Sequence, residues 1–275
     1  VGLCFTGGVD SFHSLLHSDL PIDTLIYILD YDVPPGARHR LSEYEGPFRK
    51  LCQERGVRAV VVRSNLREHP AFQGASWHRT HGAALIAVGH LLRNRIGKLV
   101  VSSSNALRNS VPWGSHWDLD PLWSSSRLQV LHFGERFRRI DKVRDIVDDP
   151  HVRKYLRPCW ENLPGRMNCS ECEKCIRTQL TIRCWTDLRP FEVFDQSLSL
   201  VERINRVRKV PDTGVINNYE DFLEFDLPED VKAAITRLMR RSRWSFARKR
   251  ARRRVKEMWN RAFSGGHPVR ERNAA

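Results

Sequence analysis

Leu3-Cys4-Phe5-Thr6-Gly7-Gly8-Val9-Asp10-Ser11 runs from a short apolar, β-prone stretch through two glycines into a segment of helical character. Glycines permit positive φ and remove Cβ atoms, so backbone N–H groups can close around an anion while the following helix directs its positive end at the same place. Thr6 and Ser11 add hydroxyl donors. A Gly-Gly pair alone marks an ordinary tight turn; here a strand, two hydroxyls, an aspartate and a helix coincide with it.

Outward from this turn, apolar β-rich runs alternate with helical patterns. Leu3 to Thr6, Thr24 to Leu29, Val57 to Val62, Leu99 to Ser103 and Leu128 to Phe133 read as strands, the first four nearly continuous in apolar character. Such runs suit a parallel sheet covered on both faces. Helices are expected at Ser11 to His17, Ser42 to Arg55, His81 to Arg93 and Arg136 to Val147. The alternation predicts an α/β, Rossmann-like, doubly wound parallel sheet with its ligand at the carboxyl ends of the strands. After Pro150 the chain becomes loop-rich and cysteine-bearing, with helices expected at Cys172 to Trp185 and Leu198 to Val207. Pro211 to Asn218 reads as a linker, and the chain beyond Gly265 as a loose tail. The organisation expected is an α/β domain over 1–150, a cysteine-bearing segment over 151–210 and a helical, basic extension over 211–275.

The chain has 275 residues, enough for one such domain and a smaller appendage. No apolar run approaches the roughly 20 residues that cross a bilayer, and Val1 to Phe5 lacks the features of a signal peptide. The expectation is a cytoplasmic protein without a membrane partner, with a few residues missing before Val1. The formal charge is +14, and 14 Lys/Arg against Glu257 and Glu271 put +12 of it between Arg237 and Ala275. We expect the segment Arg237 to Lys256 to be an appendage to the chemistry that recruits RNA or another anionic partner, or else a solvated basic helix. The composition also admits a homodimer.

Candidate ligand contacts gather at the predicted strand ends. Asp30 or Asp32, after the second strand, can accept a hydrogen bond from a ribose or adenine, and Ser103 lies at the end of the fourth strand. Trp113, Ser115, His116 and Asp118 belong to a loop rich in tryptophan and acid. Its aromatic faces can stack a planar substrate while the polar groups satisfy the edge. Arg79 and His81, in Trp77-His78-Arg79-Thr80-His81-Gly82, are further candidates for the substrate pocket.

Cys159, Cys169, Cys172 and Cys175 supply two consecutive C-x-x-C steps and a fourth thiol ten positions upstream, which suits a closed tetrahedral zinc site of structural kind. An iron–sulfur cluster also accepts four cysteines. Cys4, Cys52 and Cys184 read as buried thiols.

The segment Thr6 to Ser11 resembles the Ser-Gly-Gly-x-Asp-Ser signature of the PP-loop ATP pyrophosphatases, with Thr6 in place of the first serine. Followed by one cysteine and then C-x-x-C-x-x-C-x-Arg, it resembles the 7-cyano-7-deazaguanine synthase branch of that superfamily, over roughly residues 1–177. The resemblance implies ATP with its β- and γ-phosphates on Thr6, Gly7, Gly8, Asp10 and Ser11, and Mg2+ on Asp10. A lysine at a helix start neutralises the departing pyrophosphate in several such enzymes, which points to Lys142, with Arg139 as the alternative. The implied reaction is adenylation of the carboxylate or amide of a small-molecule carboxylate or heterocyclic substrate with release of pyrophosphate, then nitrogen transfer giving an amide or nitrile. Sulfur insertion into a tRNA base is the alternative chemistry. A zinc-stabilised nucleic-acid-binding protein with an inactive nucleotide fold is the non-enzymatic one.

Overall fold

The computed structural model describes residues 1–31, 44–109 and 112–263. Asp32, the start of the helix expected from Ser42 and the tail beyond Gly265 lie outside the described residues. Five strands, β1 (Gly2–Cys4), β2 (Thr24–Leu29), β3 (Arg58–Arg63), β4 (Lys98–Ser102) and β5 (Gln129–Phe133), form one all-parallel sheet in the order β3-β2-β1-β4-β5. β1 is central, with Leu3 opposite Leu25 on one side and Val100 on the other. The strand order reverses between β1 and β4, which opens a crevice at the carboxyl ends of these two strands.

Helices α1 (Val9–His17), α2 (Glu45–Glu54), α3 (Pro70–Gln73), α4 (Trp77–Leu91), α5 (Arg139–Ile146) and α6 (Pro150–Tyr155) accompany the sheet. All six residues of β2 are buried, and alternate side chains serve opposite faces. Leu25, Tyr27 and Leu29 join Phe12, Phe48 and Val143 beneath α1, α2 and α5; Ile26 and Ile28 join Ala84, Ile86 and Val88 of α4. Two covered faces explain why the inner strands carry no polar alternation.

Helices α7 (Glu173–Arg183), α8 (Leu200–Arg206), α9 (Thr213–Phe222) and α10 (Glu229–Phe263) follow. Residues 213–218, read above as part of a linker, are helical: Asp212 caps α9 by accepting from the Val215 N–H at 3.0 Å. Ile216, Tyr219 and Phe222 then enter a second apolar cluster with Ile176 and Leu180 of α7, Ile204 of α8, and Ile235, Leu238 and Met239 of α10. The basic segment expected to begin at Arg237 is therefore core for its first turns. The charge count conceals this, because two apolar residues per turn suffice to seat a helix whose other side chains are cationic. No described helix is long and apolar enough to cross a membrane.

Candidate functional site at the glycine turn

Gly7 has φ +78, and a Cβ there would collide with the phenol of Tyr44, so both conformation and packing demand glycine. Gly8 is different. Its backbone is extended, and an added Cβ would meet only Thr6 Oγ1 at 3.7 Å, an ordinary contact. Among the described residues no packing contact requires glycine at position 8, and the missing Cβ leaves its backbone N–H open to close approach. Gly8 is also the N-cap of α1 and supplies no side-chain acceptor to the first turn. The Ser11 hydroxyl donates to the Gly8 carbonyl at 3.0 Å.

Asp10, in the first turn of α1, is held between two cations of α5. Lys142 Nζ lies 3.1 Å from Oδ1 and Arg139 Nη1 3.4 Å from Oδ2. Burial opposes ionisation of Asp10, but Lys142 and Arg139, with a smaller contribution from Lys174, outweigh it and hold the carboxyl below its ordinary range. Lys142 is 2% exposed and donates a second bond, 2.6 Å, to the Ser103 carbonyl. Arg139 also donates to Thr178 Oγ1 of α7 at 3.2 Å. One carboxylate facing a buried and a half-buried cation leaves the turn with surplus positive charge, set against backbone N–H groups at a helix N-terminus, an arrangement that attracts an anion.

A second clamp comes from beyond α6. The Arg157 N–H donates to the Gly7 carbonyl at 2.7 Å, and its guanidinium lies over the Tyr44 ring at 5.4 Å. Arg157 sits two residues before Cys159, so the cysteine segment and the glycine turn are built as neighbours. No spacing in the sequence signals this contact.

The structure brings Thr6, Gly7, Gly8, Asp10, Ser11, Lys142 and Ser103 to this one place. Ser103 contributes its carbonyl, since its hydroxyl is occupied by the Asn105 carbonyl at 2.7 Å. Asp30, at the end of β2, has φ +69, and its Oδ1 is buried with no hydrogen-bond partner among the described residues.

The tryptophan loop packs on the start of α4. The Gly114 N–H donates to the His78 carbonyl at 2.8 Å, and a Cβ on Gly82 would collide with the Gly114 carbonyl. His81 meets the Trp113 ring edge-on at 5.4 Å, and burial lowers its pKa. Ser115 and His116 are committed to Asp120 of the same loop. The fully buried Asp120 accepts from Ser115 Oγ at 2.7 Å and from the His116 N–H at 3.1 Å, and lies 2.7 Å from His132 Nδ1. Arg79 and Asp118 are exposed at the surface of this loop region.

The four cysteines do converge. The sulfurs of Cys159, Cys169, Cys172 and Cys175 all lie within 4.8 Å of one another, with Cys169 and Cys175 3.9 Å apart. A Zn–S distance of about 2.3 Å sets tetrahedral thiolates about 3.8 Å apart, so the four fit a single ion with no open position. A four-iron cube places each thiolate on a different iron and spreads them further. The Cys169, Cys172 and Cys175 N–H groups donate to the sulfurs of Cys159, Cys169 and Cys172 respectively at 3.2–3.4 Å. Around them, the fully buried Arg203 donates to the carbonyls of Ser170, which has φ +61, and Asp195. Asn168 ties Leu156 to Val193. These outer bonds fix the knuckle from which the sulfurs project.

No protein-family model, curated protein or solved structure matches this chain.

Proposed function

We propose that the protein is an ATP-cleaving enzyme of the PP-loop type that adenylates a small-molecule carboxylate or amide, releases pyrophosphate and passes the activated group to nitrogen, as in 7-cyano-7-deazaguanine synthases. The observation that carries this reading is the turn itself. Gly8 is small with no packing cause among the described residues, beside a carboxylate outnumbered by one buried and one half-buried cation at the strand-order switch. In this scheme a substrate oxygen attacks the α-phosphorus and the bond to the β-phosphate oxygen breaks. Pyrophosphate leaves with the electron pair. A nitrogen nucleophile then attacks the activated carbon and AMP departs with the former substrate oxygen, the nitrogen losing its proton to solvent. From an amide, loss of AMP and two protons gives a nitrile.

Within this reading the N–H groups of the turn and the Thr6 hydroxyl bind the β- and γ-phosphates, the Ser11 hydroxyl turns from the Gly8 carbonyl to join them, Lys142 and Arg139 stabilise charge on the leaving pyrophosphate, and Asp30 receives the nucleoside. Asp10 offers one carboxylate to Mg2+, whose remaining shell would come from phosphate oxygens and water, the usual mode for this ion. When bound, Mg2+ neutralises phosphate charge. Zinc, in its closed four-thiolate site, supports structure alone. Burial pushes the thiols of Cys4, Cys52 and Cys184 up to about 12, so none is an activated thiolate, and sulfur transfer gains no support here.

Incubation with ATP, Mg2+ and candidate carboxylates is expected to yield AMP and pyrophosphate, and Lys142→Met to lower the rate at least 100-fold with the fold intact. ADP and phosphate as products would overturn the assignment; absence of any ATP cleavage would favour the non-enzymatic reading.

A further inference from the structure

The last helix leaves the body as a cationic arm. Its inner end is fastened: Leu238 and Ser242 are fully buried, Ser242 Oγ accepts from the Val210 N–H at 3.1 Å, and Arg241 donates to the Val207 carbonyl at 2.6 Å. From Ala247 to Asn260 every described residue is exposed, a stretch of about 21 Å at about 1.5 Å per residue. Between Arg240 and Lys256 the chain carries ten Arg or Lys and no acid, eight of the ten being Arg.

The cations are arranged at a cost. Arg248 and Arg252, Lys249 and Arg253, Arg250 and Arg254, and Arg252 and Lys256 are like-charge pairs one helical turn apart, each opposing the helix by about 0.2–0.5 kcal/mol. Arg253 pairs with Glu257 at 3.2 Å, which offsets little of this repulsion. A polyanion along the arm would relieve this repulsion.

At about 3.6 residues per turn, Ala247, Ala251 and Val255 share a narrow stripe edged by Arg248. Arg250 and Arg254 flank it on one side, Arg252 and Lys256 on the other. Small side chains on the stripe permit close approach, while cations on both flanks reach two walls of negative charge. A groove between two phosphate ridges has that form, and guanidinium groups pair with phosphate bidentately. A lipid surface fits less well: three small residues and an arginine gain little by entering an acyl layer. A second copy would bring ten more cations against the first.

We propose that residues 247–256 form a nucleic-acid-binding arm that lies in the groove of a duplex and contacts its phosphodiester backbone. This does not rest on the adenylation reading. The test is fluorescence anisotropy of the full chain with random-sequence duplex DNA and duplex RNA across 50–300 mM KCl, beside a variant with Arg250, Arg252, Arg253 and Arg254 replaced by Gln. Binding to either duplex is expected, with a log–log salt slope that becomes shallower by up to about 3.6 in the variant, since each of the four lost phosphate contacts contributes about 0.9. Affinity at the lowest salt should fall at least 100-fold. Helicity by circular dichroism should be kept or raised, since like charges are removed. Equal binding by the variant, a salt-independent affinity, or binding to phosphatidylserine vesicles with none to either duplex would overturn the proposal.

Discussion

Gly7 and Gly8 are adjacent and chemically identical, yet the structure gives them separate work, which substitution can resolve. Gly7→Ala puts a Cβ at φ +78 against Tyr44 and should cost several kcal/mol of stability, read as a lowered denaturation midpoint. Gly8→Ala, an N-cap change worth about 0.5–1 kcal/mol, should lower that midpoint far less and weaken ATP binding at least tenfold by calorimetry; unaltered binding would remove the turn from the phosphate site. His13 offers a second single-residue test. It is 1% exposed, neither ring nitrogen has a hydrogen-bond partner among the described residues, and burial, helped by Lys142 and His17 and opposed by Asp145 and Asp10, lowers its pKa to about 4. Between the unfolded value near 6.5 and about 4 the unfolded chain binds a proton that the folded chain refuses. The stabilisation is therefore complete above about pH 6.5 and fades as pH falls towards 4, by up to about 3 kcal/mol. His13→Leu should flatten that stretch of the denaturation profile.

At the scale of elements, α7 joins the metal centre to the glycine turn. Cys172 is its N-cap, accepting from the Cys175 N–H, and Thr178, two turns on, holds Arg139 against Asp10. Glu173 of the same helix pairs with Arg177 at 3.0 Å and accepts from the Tyr219 hydroxyl of α9 at 3.2 Å. Purified protein should carry about one zinc per chain. Removing it by chelation, or with Cys172→Ala, should unseat α7, lower stability by several kcal/mol and weaken ATP binding, because Arg139 loses its support. Folded protein that binds ATP undiminished after zinc loss would break this link.

For the molecule as a whole, the second apolar cluster decides where the chain can be cut. Leu238 and Met239 are buried among α8 and α9, and full burial of such side chains contributes about 1.5–3 kcal/mol each. A chain ending at residue 236 should lose roughly 3–6 kcal/mol, whereas one ending at residue 246 should denature almost as the full chain does. A common midpoint for both would mean that the helix adds nothing to the core. Asp221 of α9 ties the same region to the strand-end rim, accepting both bonds of Arg108 at 3.0 Å and lying 3.8 Å from Arg138, the N-cap of α5.

The order of strands and helices, the glycine turn and the cysteine set were legible because each rests on local chemistry. A doubly covered strand must be apolar throughout, a left-handed residue packed against the Tyr44 phenol must be glycine, and a closed thiolate site needs short, fixed spacing. The extent of α9 was not legible, since Pro211, Asp212 and Gly214 read as a break while Asp212 in fact caps a helix whose apolar residues need a distant partner. Nor could the sequence pair Asp10 with Lys142, 132 positions away, set Arg157 against Gly7, choose Asp120 over Asp118 as the anchor of the tryptophan loop, or show that Arg203 holds the metal knuckle. Apart from the local bonds of Asp120 to Ser115 and His116, those are contacts between groups far apart in the chain. Their residue types are common on any surface, and only the tertiary structure, by burying them together, decides which ones meet.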